Sequence, residues 1–491
     1  MERKSQLTPE APKSGQATPK FANAQENGTQ ETGTPIWLAG ARAVADAMAE
    51  SAADKQTGTL PPEALAFARV LSFEPKPGRH FLFARADGSL GVVFCLDDAP
   101  DADPFQPGAL ATLLPAGTYR FETLPPSPEL ACLAFLLGAP GFGRYKPARP
   151  APRLIAPADV DASAVETLAA WVAFARDLIN TPANDMGPDE LEQAALGLAE
   201  RFGAGVKVVK GEALARDFPL IHAVGKGSPR APRLVDISWR PERSRKMTLV
   251  GKGVCFDSGG LDIKPESAMG LMKKDMGGAA SAMAAAAMIM AFDVDVALRL
   301  LVPIVENSVS GEAFRPGDVY PSRKGLSVEI GNTDAEGRLI LAEALAYADE
   351  DDPELLIDLA TLTGAARVAL GPDMPPFFTD DDALAESIGR HGKAANDPVW
   401  RLPLWKGYDS KLDGKISDLN NAPPGGMAGS IIAALFLRRF VSPGRSWAHF
   451  DIYGWTPMAK PGRPEGGEAQ AARLIFELAR EKFGIANFSV T

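Results

Sequence analysis

The chain reads as an α/β protein of two domains. A small N-terminal α/β domain precedes a larger one whose central, mainly parallel (mixed) sheet is flanked by helices. Three observations predict this. At 491 residues the chain is too long for one simple hydrophobic core. A proline-rich stretch, YKPARPAPRLIAPADVD, interrupts it between Tyr145 and Asp161. Beyond that stretch, strand-like apolar runs alternate with helical ones, the pattern of a sheet covered by helices.

Taken in order, residues 1–35 are rich in Pro, Ser, Thr, Gln and Gly and are expected to be a disordered tail. Residues 36–143 form the N-terminal domain, with strands near Phe81–Phe83 and Leu90–Phe94 and helices over Ala41–Ala53 and Pro128–Leu137. Residues 144–163 read as an extended linker. Residues 164–491 open with a helix over Ala164–Asn180, ended by Thr181-Pro182. Strands follow at Val206–Val209, Met247–Gly251, Ala297–Ile304, Leu326–Ile330, Leu355–Leu359 and Trp447–Ile452. Helices lie over Met276–Phe292, Leu339–Asp349 and Ala428–Val441. Ligands of such sheets gather at the carboxyl ends of the strands.

Bulk properties exclude several functions. A net charge of −11 disfavours a general nucleic-acid binder, whose affinity comes from clustered Lys and Arg. Cys95, Cys132 and Cys255 are too few and too scattered for a disulfide framework or a zinc ribbon, which fits a reducing compartment. The N-terminal residues lack an apolar signal core, and the longest uncharged apolar run, Met276–Phe292, falls short of a bilayer crossing. A cytoplasmic protein without membrane contact is expected. Four histidines show no metal-site spacing, so any metal centre must be built mostly from carboxylates.

Such carboxylates stand in three loops. After Met247–Gly251 come Lys252 and Asp257, followed by Lys264; Asp275 precedes the Ala-rich helix; and NTDAEGRL supplies Asp334, Glu336 and Arg338. For Asp334 alone, capping of a helix N-terminus is the default reading. Joined to the other loops, the cluster reads as chemistry. Four converging carboxylates repel unless divalent cations neutralise them, and two bridged ions can activate a water and polarise a carbonyl. Oxygen-rich donors suit Mn²⁺, Mg²⁺ or Zn²⁺.

These residues carry a resemblance. NTDAEGRL (332–339) stands unaltered among DLINTPAND (177–185), VGKGVCFDSGG (250–260), IKP (263–265), MKKDMGGAA (272–280), LATLTGA (359–365), ISDLNN (416–421) and WAHFDI (447–452). Over roughly 177–481 the chain resembles the leucyl aminopeptidase family of dinuclear metallopeptidases. The resemblance implies a metal-dependent aminopeptidase acting on peptides with a free N-terminus, assembled as a homohexamer. It implies two divalent ions, Mn²⁺ or Zn²⁺. Lys252, Asp257, Asp275 and Glu336 hold the tighter one, and Asp257, Asp334 and Glu336 the more exchangeable one. Lys252 must be neutral to serve as a ligand. Lys264 stabilises the tetrahedral gem-diolate, and Arg338 holds a bicarbonate that shuttles the proton. Met272, Thr361, Leu362 and Gly364 position the substrate.

One departure stands out. Tyr453 follows WAHFDI where family members commonly carry Ala in the first side-chain pocket, so the preference for leucine is open to change. Among the remaining candidates, Lys273, Lys274, Arg323 and Lys324 read as solvated or oligomer-facing charges. Cys255 reads as a small buried strand residue, and His449 as a satisfied core or interface histidine.

Overall fold

The computed structural model describes residues 19–22, 33–49, 60–139, 141–147 and 150–486. Contacts divide the chain into two compact units, one of Met1–Ala173 with Met458–Glu465 and one of Phe174–Pro457 with Gly466–Thr491. The division falls inside a helix, Ala162–Asn180, rather than in the proline-rich stretch, and a short late segment returns to the first unit.

The first unit holds a five-stranded sheet of β1 (Thr34–Gly40), β2 (His80–Ala84), β3 (Leu90–Leu96), β4 (Thr118–Phe121) and β5 (Arg153–Leu154), in the order β2-β3-β1-β4-β5. Two expectations need correction. Most of the N-terminal tail lies outside the described residues, but Thr34 and Pro35 open β1, and the Ala22 amide donates to the Leu154 carbonyl at 2.7 Å. The linker is also not free: Leu154 is fully buried and pairs as an edge strand, because its prolines flank the two residues that need ladder bonds.

The second unit is built on a nine-stranded mixed sheet. Its early strands are β6 (Gly205–Lys210), β7 (Arg233–Trp239), β8 (Lys246–Gly251), β9 (Gly253–Asp257) and β10 (Ala297–Asn307). A separate small sheet takes β11 (Val319–Pro321) and β12 (Ser327–Glu329), after which β13 (Leu355–Ala360), β14 (Pro376–Phe378) and β15 (Trp400–Arg401) rejoin the large one. β16 (Leu419–Asn420) completes the small sheet and β17 (Trp447–Asp451) the large one. The central strands β17-β13-β8-β10 run parallel, while β7 and β14 pair antiparallel on either side.

One prediction fails here and one strand goes unpredicted, each for an identifiable reason. Leu326–Ile330 is not a strand of the large sheet. Only Val328 of β12 is buried, and a central strand needs apolar residues on both faces. β7 escapes sequence reading because Asp236 interrupts its apolar run; across the ladder, Arg299 of β10 takes that carboxylate at 3.0 and 2.8 Å.

Two helices clamp β8, one on each face. Val250 packs in the core with Leu339, Leu341 and Leu345 of the helix Glu336–Asp349. A Cβ on the next residue, Gly251, would meet Ala279 of the helix Gly277–Ala291 at 2.6 Å. Neighbouring strand residues face opposite ways, so the helices lie on opposite faces. The approach of the second is very close: a Cβ on Gly278 would lie 2.2 Å from the Leu359 carbonyl oxygen. Both helices therefore begin at the carboxyl end of β8.

Glu343, in the helix Glu336–Asp349, is fully buried. One oxygen accepts from the Arg323 amide at 3.0 Å, and the other has no hydrogen-bond partner among the described residues. Burial pushes its carboxyl up to about 8. A raised acid binds its proton more tightly when folded, so its contribution to stability is greatest below the unfolded value and is lost as pH rises toward 8. Glu343→Gln removes this dependence. The stability gap between wild type and variant is expected to shift by about 2–4 kcal/mol in the variant's favour between pH 5 and pH 8, read by urea unfolding.

Candidate metal centre

The carboxyl end of β8 brings five of the predicted residues into contact, and β9 brings a sixth. Lys252 follows Gly251 directly, and its amide donates to the Leu359 carbonyl of β13 at 3.0 Å. Its Nζ lies 2.9 Å from Asp275 Oδ2 and 3.0 Å from Glu336 Oε1, so it links the starts of both clamping helices. Asp257 ends β9, which the sequence presented as a loop; pairing with β10 extends it into a strand. Lys264 Nζ lies 2.8 Å from Asp257 Oδ2 and also touches Asp334 Oδ1.

The NTDAEGRL turn resolves the capping question. The helix starts at Glu336, three residues earlier than its apolar pattern suggests, and carries no side-chain cap. Asp334 is free to face the other acids, since Asn332 Oδ1 accepts its amide at 2.7 Å and shapes the turn instead.

Electrostatics mark the cluster as strained in the bare chain. Burial lifts Asp275 and Glu336 above the usual carboxylate range, with the charge of Asp257 adding to the effect. Burial and Asp257 likewise push Asp334 up to about 6. Burial disfavours charge on Lys252, yet Asp275, Glu336 and Asp257 outweigh it and hold the ammonium above its ordinary value. Lys264 behaves the same way beside Asp257 and Glu336. Four carboxylates thus face two ammoniums, and Glu336 Oε2 is buried without a hydrogen-bond partner among the described residues. Donor oxygens of Asp257, Asp334 and Glu336 all lie within 4.8 Å of one another. A carboxylate-rich donor set with surplus negative charge fits divalent cations.

Arg338 lies beside this centre. It is buried, its Nη1 donates to the Asn421 carbonyl, and its Nε has no hydrogen-bond partner among the described residues. Burial pulls its guanidinium down to about 10. A buried guanidinium with a spare donor and no ion pair among the described residues suits a small planar anion.

A family model described as "Cytosol aminopeptidase family, catalytic domain" matches residues 173–476. The chain belongs to this family. The probable cytosol aminopeptidase of Syntrophotalea carbinolica is 43% identical over 317 residues, covering 63% of this chain and 63% of that protein. The cytosol aminopeptidase of Encephalitozoon cuniculi is 45% identical over 285 residues, covering 57% of this chain and 59% of that protein. The aligned part thus spans less than two thirds of these relatives' length. The solved cytosol aminopeptidase from Coxiella burnetii has a TM-score of 0.86 and 40% identity, over 93% of this chain and 98% of that one. The bottromycin maturation enzyme BotP, solved in complex with Mn, has a TM-score of 0.81 and 30% identity, over 92% and 100%.

Several positioning residues of this family member carried no role in the sequence reading. Asn421, fully buried, accepts from the Gly331 amide at 2.7 Å and donates to the Asn332 carbonyl at 2.9 Å, pinning the NTDAEGRL turn. Asn307 donates to Asp257 Oδ1 at 2.9 Å and to the Thr333 carbonyl at 3.0 Å. Thr333 and Asp262 tie the turn to the loop before Lys264 through bonds of 2.7 and 2.8 Å. Their signal was partly visible, since Asn421 closes the ISDLNN motif.

The remaining predicted positions divide. Thr361 Oγ1 donates to Asp275 Oδ1 at 2.8 Å, and its carbonyl accepts from Lys252 at 3.0 Å. The Leu362 and Thr363 amides both donate to Asp451 Oδ1 at 3.0 Å, fixing the loop that leads into Gly364. Met272 is buried and Tyr453 half-buried. His449 is a core residue, its Nδ1 2.6 Å from Asp358 Oδ1. Cys255 is buried in β9. Lys274 is a correction: it is 1% exposed, not solvated. Lys273 and Arg323 are half-buried, and Arg323 holds Glu350 at 2.6 Å. No helix among the described residues is long and apolar enough to cross a membrane.

Proposed function

We propose that the protein is a metal-dependent aminopeptidase that hydrolyses the first peptide bond of peptides with a free N-terminus. The observation that carries this reading is the buried cluster of four carboxylates and two lysines at the end of β8, in a member of the cytosol aminopeptidase family. Asp257, Asp275, Asp334 and Glu336 would hold two divalent ions, and Lys252 would join them only after losing its proton as the ions take over its carboxylate partners, with Mn²⁺ favoured by the Mn complex of BotP and Zn²⁺ the alternative. When bound, such ions lower the pKa of a water and polarise the scissile carbonyl.

The chain's own groups supply the rest. Water adds to the carbonyl carbon, the C–N bond breaks, and a proton passes to the departing amine. Lys264 places an ammonium beside the oxygen that gains negative charge. Arg338 holds bicarbonate, or a like anion, where a proton must be relayed. Met272, Thr361, Leu362, Gly364 and Tyr453 border the first residue of the substrate. A homohexamer in the cytoplasm belongs to the same reading, and sedimentation velocity of the purified protein checks the assembly.

Dialysis against a chelator is expected to lower leucyl-p-nitroanilide hydrolysis at least about tenfold, and Mn²⁺ or Zn²⁺ to restore it. Activity indifferent to the chelator would sink the reading.

A further inference from the structure

A polar cavity lies at the opposite end of β8 from the metal centre. Its volume of about 460 Å³ is within the range of small-molecule sites. Strands β7, β8 and β10 line one side of it, and the C-terminal end of the helix Glu336–Asp349 lines the other. Lys246 starts β8 and Lys252 follows its last residue, so cavity and centre lie roughly 20 Å apart along the strand. One small ligand cannot occupy both.

The charged groups of the cavity stand in pairs. On its floor Asp236, only 9% exposed, accepts from Arg299 Nε and Nη2 at 3.0 and 2.8 Å. At its rim Lys246 Nζ donates to Asp351 Oδ1 at 2.9 Å and to the Asp351 carbonyl at 3.0 Å. Glu350 accepts from Arg323 at 2.6 and 2.8 Å. The guanidiniums of Arg299 and Arg323 lie 4.1 and 4.5 Å from the centre of the Tyr347 ring and hold it in place. Pairing balances the charge without exhausting the bonding capacity. Arg299 and Lys246 keep further N–H groups beyond those their partners use. Asp351 Oδ2 and the hydroxyls of Ser238 and Tyr347 make no hydrogen bond among the described residues.

We infer that this cavity binds a free α-amino acid, at a site separate from the metal centre. The balance of charge selects that class. A bare anion such as phosphate meets the carboxylates of Asp236, Glu350 and Asp351, and a bare cation meets acids that already hold Arg or Lys. A zwitterion avoids both penalties. Its carboxylate takes the spare donors of Arg299 and Lys246, its ammonium takes Asp351, and each contact is charge-assisted. A free amino acid is also what the proposed hydrolysis releases, so the protein generates this ligand itself. The binding claim stands apart from the reading of the metal centre.

Titration calorimetry of the full-length, Mn²⁺-loaded protein tests it. L-Leucine is expected to bind with a Kd below about 1 mM, and the binding to survive dialysis against a chelator, which removes the contribution of the metal centre. On the chelated protein, L-leucinamide and N-acetyl-L-leucine each lack one of the two charges and should bind at least about tenfold more weakly. Lys246→Met and Asp351→Asn change the partly exposed rim pair, and each should weaken leucine at least about fivefold. The comparison of the three ligands on the wild type needs no variant to fold. Absence of metal-independent leucine binding, binding that the amide or the acetyl derivative matches, or binding unmoved by both variants overturns the inference. Each of these results leaves the aminopeptidase reading to its own hydrolysis assay.

Discussion

Glu336→Gln is expected to lower kcat/KM by at least about 10³-fold, a loss of roughly 4 kcal/mol of transition-state stabilisation. The variant keeps the shape of the side chain and removes the charge that both proposed ion sites share. Its effect on the metal-free fold runs the other way. Burial already raises the Glu336 carboxyl, so the ionised form is held there at a cost that the amide does not incur. The chelated variant should therefore keep its thermal midpoint within about 3 °C of wild type, while the rise caused by added Mn²⁺ disappears. A variant that still gains stability from Mn²⁺ and turns over normally would remove Glu336 from the centre.

Lys264→Ala is expected to lower kcat by about 10²–10³-fold with KM and bound metal little changed. Exposure separates this lysine from its neighbour. The Lys264 side chain is 13% exposed at the mouth of the cluster, against 3% for Lys252, so a substrate oxygen can reach the first and not the second. Its partners, Asp257 and Asp334, keep it cationic. Metal content measured by plasma emission distinguishes the alternative. A loss of metal in parallel with activity would make Lys264 a support for the carboxylates rather than a group that meets the substrate.

The legible part of the site was the part in which charged residues crowd a short segment. Asp334, Glu336 and Arg338 lie within five residues, and Lys252 and Asp257 within six, so each loop announced itself. Asn307 and Asn421 did not, because an asparagine that pins backbone is indistinguishable in sequence from one that caps a turn. Their partners lie 26 to 50 and about 83 to 90 residues away along the chain. The strand β7 was lost for a similar reason: Asp236 reads as a break until Arg299 is seen to neutralise it. Lys274 was misjudged because a Lys-Lys pair signals a solvated face, and nothing local reveals that the second lysine is buried against Tyr453.

The sequence alone determined the alternation of strands and helices, the acidic character of the centre and the motifs that place the chain in its family. These follow from local periodicity and from residue types at short spacing, which chain connectivity enforces. The tertiary structure decided which helix faces which side of β8, that Asp334 meets the acids instead of capping a helix, and that Lys274 and Arg367 flank Tyr453. Those outcomes depend on burial and on contacts between distant segments. Burial sets the cost of each charge and therefore what the site can bind.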